Sequence, residues 1–307
     1  MNRVLILVTL LMMGPAAAQP AAPPVENITV TGARTRQAIE GFVQSLATPT
    51  RAAGKIARWQ DPICPTVLGL KKQFAQFIAQ RLRDIAAKAG VPINGKSDCL
   101  PNIAIVFTTA PQKLMDNIRK NQPELLGYYD NSAQADALAK VTRPIQAWYQ
   151  TETKDVNGKA EPDSGQTRGP GLEIYLPCPD QPGGVCLMHL PNAHASAVSG
   201  TRLGDGLKSG LYNVVIAADP AKLVDNEIGA LSDYIAMLAL AQVKTPDVCQ
   251  PLDSILNLLA DNCPTPASMT ANDLGYLTAL YKMSPESTIQ VQRDEMTYQM
   301  EHALGVQ

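Results

Sequence analysis

Hydrophobic and polar residues recur along this chain with two periods, and each change of period marks an element. Across residues 70–89, Phe74, Phe77, Ile78, Leu82 and Ile85 follow a three-and-four spacing that buries one stripe of a helix, and Gly90 stands where such a helix stops. Shorter helical patterns run over residues 36–45, with Ile39, Phe42 and Val43 on one side, and over 111–121, with Leu114 and Ile118 one turn apart. Residues 225–242 give another helix, in which Ile228, Leu231, Ile235 and Leu238 share a stripe and Asp225 or Asn226 serves as the N-cap. Strands are predicted over 55–59, 141–151 with Trp148 and Tyr149, and 211–218. The run Ile103, Ile105, Val106 and Phe107 predicts a strand within 102–109 that is covered on both faces. Residues 172–176 and 185–190 read as a hairpin around a Pro-Gly-Gly turn. Between them and Trp148 the composition turns to charge, Gly and Pro, with a turn at Asn157-Gly158, so 152–170 is expected to be an exposed insertion. Strands and helices in this order predict an α+β fold with a mixed sheet.

The N-terminus reads differently from the rest. Arg3, the apolar run from Val4 to Met13, the break at Gly14-Pro15 and the small residues Ala16, Ala17 and Ala18 have the layout of a secretory signal peptide over 1–18. The run is shorter than the ~20 apolar residues of a membrane span. Residues 19–35 follow as a flexible arm, and 36–307 are expected to form one domain.

Composition narrows the function classes. With 307 residues, 45% hydrophobic and 18% charged at a formal net charge of -2, the chain lacks the basic surplus of a nucleic-acid binder. Its basic pairs, Lys71-Lys72 and those between Arg81 and Lys88, fall on the solvated side of one helix. Six cysteines in an exported chain without Cys-x-x-Cys point to structural disulfides. The preferred pairing is local: Cys64 with Cys99, Cys178 with Cys186 and Cys249 with Cys263, each worth about 2–4 kcal/mol by loop closure.

Candidate chemistry centres on Asp225-Asn226-Glu227-Ile228-Gly229-Ala230-Leu231-Ser232-Asp233. Zinc peptidases of the zincin class carry His-Glu-x-x-His, because residues four apart on a helix aim two imidazoles at one metal while the Glu activates its water. Laid on that pattern, Asn226, Ala230 and Ala236 occupy the ligand positions, Glu227 the general-base position, and Asp233 the place of a Gly. Downstream, Asp253-Ser254-Ile255-Leu256-Asn257 resembles the turn that follows a metzincin helix. Met269-Thr270-Ala271-Asn272-Asp273-Leu274 with Leu277-Thr278-Ala279-Leu280-Tyr281 resembles its terminal helix. Upstream, Ala57-Arg58-Trp59, Pro62-Ile63 and Pro101-Asn102-Ile103-Ala104-Ile105-Val106-Phe107 are similar to the first half of an uncharacterised family of secreted bacterial zincin-like domains. The resemblance implies a zincin-like layout with a central former active-site helix. One Asn and two Ala cannot supply the three ligands of a catalytic zinc, so it also implies no metal and no cofactor.

Plainer readings stand beside this one. Glu227 is also a first-turn carboxylate favoured by the helix dipole. Asp233 is mid-helix, on a second stripe with Asn226 and Ala230, and needs a partner if buried. His189 and His194 are five apart with Pro191 between them, and His302 sits near the C-terminus, so none forms a ligand pair. Ser164-Gly165 and Ser199-Gly200 lack the nucleophile-elbow pattern. A glycosidase pair of Glu227 with Asp233 or Asp273 has no separation set by sequence, and 5% aromatic content is low for a sugar cleft. Residues Ile28 to Arg34 look like the start of many outer-membrane TonB-dependent receptors.

The expected function is an exported, non-catalytic binding or scaffold protein of the cell envelope, periplasmic or extracellular, with a protein or peptide partner. The alternatives are a peptidase-type hydrolase using Glu227 and Asp233, and an accessory protein to an outer-membrane transporter working through Val30-Thr31-Gly32.

Overall fold

The architecture, taken from a computed structural model, describes residues 27–96, 98–164, 172–177, 185–190, 206–243 and 249–306. In chain order the elements are α1 (Asn27–Leu46), β1 (Arg58–Trp59), β2 (Pro65–Leu68), α2 (Lys72–Ala89), β3 (Ile103–Phe107), α3 (Pro111–Asn121), α4 (Ser132–Leu138), β4 (Ile145–Lys154), β5 (Ala160–Pro162), β6 (Leu172–Pro177), β7 (Val185–Leu190), β8 (Lys208–Ala218), α5 (Ile228–Leu240), α6 (Ala271–Lys282) and α7 (Ile289–Ala303). Short 3-10 turns occupy Pro123–Leu126, Pro220–Lys222 and Ile255–Leu259.

The fold is α+β, with a six-stranded mixed sheet ordered β2-β3-β8-β4-β5 and β1 also paired with β8. β2, β3 and β8 run parallel, while β4 lies antiparallel to β8 and β5 antiparallel to β4. All five residues of β3 are buried, as its unbroken apolar run requires. Alternation divides them between two cores: Ile103, Ile105 and Phe107 join the helices α1, α2, α5, α6 and α7, whereas Ala104 and Val106 pack with Trp148, Val215, α3 and α4 on the other face. β6 and β7 form the expected antiparallel hairpin, with Leu172 opposite Leu190.

α2 ends as expected at Gly90, whose φ of 81° is the left-handed cap that glycine adopts without penalty. Its buried stripe is narrower than the sequence implies. Ile78, Leu82 and Ile85 are buried, but Phe74 and Phe77 remain 40% and 45% exposed. The Cys64–Cys99 and Cys249–Cys263 disulfides are both formed, with Cα separations of 6.1 and 5.4 Å. The Cys178 to Cys186 pairing lies outside the described residues, as do His194, Ser199 and Gly200.

Two expectations need correction. The stretch from Ile28 to Arg34, read as a mobile arm or edge strand, is helical: α1 begins at Asn27. Burial of Ile39, Phe42, Val43 and Leu46 nucleates this helix, and propagation toward the N-terminus then adds one hydrogen bond per residue fixed. Residues 152–164 are not an exposed insertion but the end of β4, a turn at Gly158 and β5, with Glu152, Asp155 and Asp163 buried. Lys154 Nζ bridges Glu152 at 3.0 Å and Asp61 at 2.7 Å. Asp163 accepts from the Thr151 and Thr153 hydroxyls at 2.6 Å each. Period-two patterning is lost there because the hairpin buries charged groups held by Lys154, Thr151 and Thr153, with Asp155 Oδ2 left without a hydrogen bond.

Burial pushes the Glu152 and Asp163 carboxyls above their usual values, only partly offset by Lys154 and by the two threonines. A carboxyl whose folded pKa is raised binds its proton more tightly in the folded state, so it weakens the fold as pH climbs from the unfolded value, about 4, through the folded one. Glu152→Gln should flatten the decline of stability with pH above about 4.5, read from urea unfolding at several pH values. An unaltered slope would mean that Glu152 titrates as it does in water.

Candidate functional site

α5 is hydrophobic nearly all round, and every residue from Ala230 to Leu240 is buried, which makes it the central helix and leaves it no open face over that span. Its last carbonyls are taken by side chains instead of a glycine cap: Trp59 Nε1 donates to the Ala239 carbonyl at 2.8 Å and the Tyr281 hydroxyl to that of Leu240 at 2.6 Å. At its start the N-cap is Glu227, not Asp225 or Asn226. Those two belong to a preceding turn, closed by the Asn226 N–H on the Leu223 carbonyl at 3.1 Å. The Glu227 side chain makes no capping bond and is exposed.

The residues singled out around the metallopeptidase-like motif are therefore dispersed. Asn226 precedes the helix, so it does not share a helical face with Ala230. Ala230 and Ala236 are packed in the core at 3% and 0% exposure and offer no donor atom. Glu227 and Asp233 are six residues apart, about 9 Å of helical rise, and lie on different sides of the axis.

Asp233 is fully buried and completely engaged. Arg81 of α2 donates from Nε to one carboxylate oxygen at 2.6 Å and from a terminal nitrogen to the other at 2.9 Å. The Met269 N–H, just before α6, donates to the second oxygen at 2.7 Å. The hydrogen bonds to Asp233 raise the Arg81 pKa above the usual guanidinium value. Three donated hydrogen bonds on a carboxylate at 0% exposure leave it no open face for a substrate. Asp273 acts similarly: the Ile255 and Thr270 N–H groups and the Ser254 and Thr270 hydroxyls all donate to it, closing the capping box of α6 and pinning the Ile255–Leu259 turn. Burial nevertheless raises its pKa. No group of three or more His, Cys, Asp or Glu side chains suited to a metal occurs among the described residues.

A cleft of about 410 Å³ lies elsewhere, along the outer edge of β4. The Asp219 N–H bonds the Pro144 carbonyl, which sets the ladder: Gln146, Trp148 and Gln150 exchange bonds with β8, whereas Ala147 and Tyr149 turn their N–H and C=O groups outward. Side chains on β4 hold one wall in place. Trp148 Nε1 donates to the Leu138 carbonyl at 2.8 Å, and Gln146 Nε2 to that of Lys140 at 3.0 Å, while Gln150 reaches the Leu125 carbonyl. Gly127 is required here, since a Cβ would stand 2.4 Å from the Tyr149 carbonyl oxygen and its φ is 87°.

The opposite rim carries Arg51, paired with Asp130 at 2.7 Å and stacked 5.7 Å from the centre of the Tyr128 ring. Lys140 is the second cation lining the cleft. Two lining residues hold buried polar atoms with no hydrogen bond: Gln242 Oε1 and the Tyr149 hydroxyl. The latter approaches the Val243 backbone without reaching bonding geometry, and burial drives its pKa well above the usual phenol range. Sequence reasoning missed this site because an edge strand lined on both faces by Gln and aromatic residues reads as ordinary core. Its one signal was the unusual pair Gln146 and Gln150 bracketing Trp148 and Tyr149.

No family model matches the chain, and no curated protein or solved structure matches it.

Because Asp233 ties α2, α5 and the approach to α6, breaking its pair from one side should be costly. Arg81→Met strands a buried carboxylate and is expected to lower stability by about 3 kcal/mol or more. Asp233→Leu should be milder, since Arg81 is part exposed and can turn to water. The double variant should recover much of the loss, and a denaturant-derived cycle with no coupling would refute the clamp.

Proposed function

We propose that this is an exported, non-catalytic binding protein in which the α5 region keeps a zincin-like layout without its chemistry, and in which the β4 edge cleft holds a peptide. The observation that carries the non-catalytic reading is the saturation of Asp233 by Arg81 and Met269 at zero exposure. General acid or base work needs a group within reach of substrate, and Asp233 has no exposed atom to offer one. The two disulfides fit an oxidising compartment, and no helix among the described residues is long and apolar enough to cross a membrane.

An extended peptide suits the cleft because the outward N–H and C=O groups of Ala147 are what a strand adds to, while Gly127 stands against the Tyr149 carbonyl. Arg51 and Lys140 favour acidic side chains or a terminal carboxylate, and Gln242 supplies an acceptor seeking a donor. The chain then acts as a receptor or scaffold for an unfolded or terminal segment of another envelope protein.

Titrating fluorescein-labelled acidic peptides of about seven residues should give saturable binding that weakens with salt. Ala147→Pro removes one outward N–H without breaking a β8 ladder bond, so it should weaken binding at least about tenfold while the melting temperature stays within a few degrees. Full affinity in that variant would remove the β4 edge from the proposal. Stoichiometric zinc in the purified protein, or peptide hydrolysis abolished by Glu227→Gln, would overturn the non-catalytic reading.

A further inference from the structure

A second concavity, of about 400 Å³, opens between the start of α2 and the start of α5, beyond the carboxyl ends of β3 and β8. Ile78, Phe107, Leu223 and Leu231, all at most 7% exposed apart from their share of the opening, form its floor, and Phe74 and Val224 form its rim. Every lining side chain is apolar, so nothing in it can orient a polar ligand. Two rim residues stand in water, Val224 at 79% and Phe74 at 40% exposure, and Phe77, one turn beyond Phe74 on α2, is 45% exposed. A knob and a hole thus sit side by side on one face.

The charges around it are sorted by wall. On the α2 wall, Lys71, the extended N-cap of the helix, and Lys72 are exposed between Leu70 and Phe74, which line the hollow. On the α5 wall, Asp225 and Glu227 are exposed and flank Val224 and Ile228. Lys222 and Asp219 face each other within that wall at 4.0 Å and largely cancel.

We infer that this face docks a second copy of the same chain about a two-fold axis. Such an axis exchanges the two walls, which brings Lys71 and Lys72 of one protomer to Asp225 and Glu227 of its partner and lets each Val224 and Phe77 enter the opposite concavity. A patch with cations on one side and carboxylates on the other is complementary to itself. An anionic bilayer or a fatty-acid headgroup would meet Asp225 and Glu227 unfavourably, and a cationic partner would meet Lys71 and Lys72. The surface is separate from the β4 cleft, so its failure leaves the peptide reading intact.

Sedimentation of the disulfide-bonded chain across micromolar concentrations tests this directly. A reversible monomer–dimer equilibrium is expected, and Val224→Asp, a surface change with little bearing on folding, should weaken it at least about thirtyfold. Reversing the cations alone (Lys71→Glu with Lys72→Glu) or the carboxylates alone (Asp225→Lys with Glu227→Lys) should each weaken it about tenfold or more. Combining all four reversals should restore the dimer to within about threefold of the original. A chain that stays monomeric at 100 micromolar (about a hundredfold above a typical weak-dimer constant), a dimer indifferent to Val224→Asp, or a fourfold reversal that fails to rescue would each overturn the inference, as would binding of this face to anionic vesicles in place of self-association.

Discussion

A single buried carboxylate, Asp233, decides how the helical layer of this protein is assembled. It sits at zero exposure in the middle of the central helix, where an unpaired charge would be intolerable, and it is stable there because Arg81 reaches it from α2 and the Met269 N–H from the chain before α6. Those three contacts fix the spacing of α2 and α5 and the point at which the chain must arrive before turning into α6. Asp273, four residues beyond Met269, then pins the Ile255–Leu259 turn through its own donors. Neither carboxylate tolerates a shift of its neighbours without losing a hydrogen bond in a low-dielectric setting, so the apolar packing around them is held to one arrangement.

The same constraint moves the place where a ligand can bind. With α5 covered on all sides from Ala230 to Leu240 and its C-terminal carbonyls occupied by Trp59 and Tyr281, the motif-bearing helix presents only its first turn to solvent. β4 keeps an edge without a strand partner from Ile145 to Gln150, because β5 covers only its far end, Glu152 to Lys154. Parallel strands need crossovers that blanket both faces, and an antiparallel margin does not. Tyr149 and Gln242 lie near the C-terminal end of α5, about 20 Å of helical rise from Glu227, so the cleft and Glu227 are at opposite ends of one helix.

Much of the fold was legible in the chain because strong periodicity and strong burial coincide. β3, α2, α3 and β8 lie where their patterns put them, and Gly90 ends α2 as its position implied. Failures occurred where long-range contacts override local preference. Ile28 to Arg34 has strand-like composition but continues a helix already committed by Phe42 and Leu46. Glu152 and Asp163 read as solvated, yet Lys154, Thr151 and Thr153 make their burial possible. Phe74 and Phe77 have the spacing of core residues and stand in water.

By itself the sequence indicated the α+β class, the order of its main elements, a preferred local pairing that includes Cys64 with Cys99 and Cys249 with Cys263, and the lack of any His-Glu-x-x-His motif. These follow from local spacing and residue chemistry. Only tertiary structure decided that Asp233 is a clamp, that β4 has an open edge with unsatisfied polar atoms, and that opposite charges flank one apolar hollow. Arg81 and Asp233 are 152 residues apart, and Tyr149 and Gln242 are 93 apart by their numbering, so no local pattern could have brought them together. Burial and partnership are properties of the packed chain, and they make Asp233, a candidate catalytic residue from sequence, a structural tie.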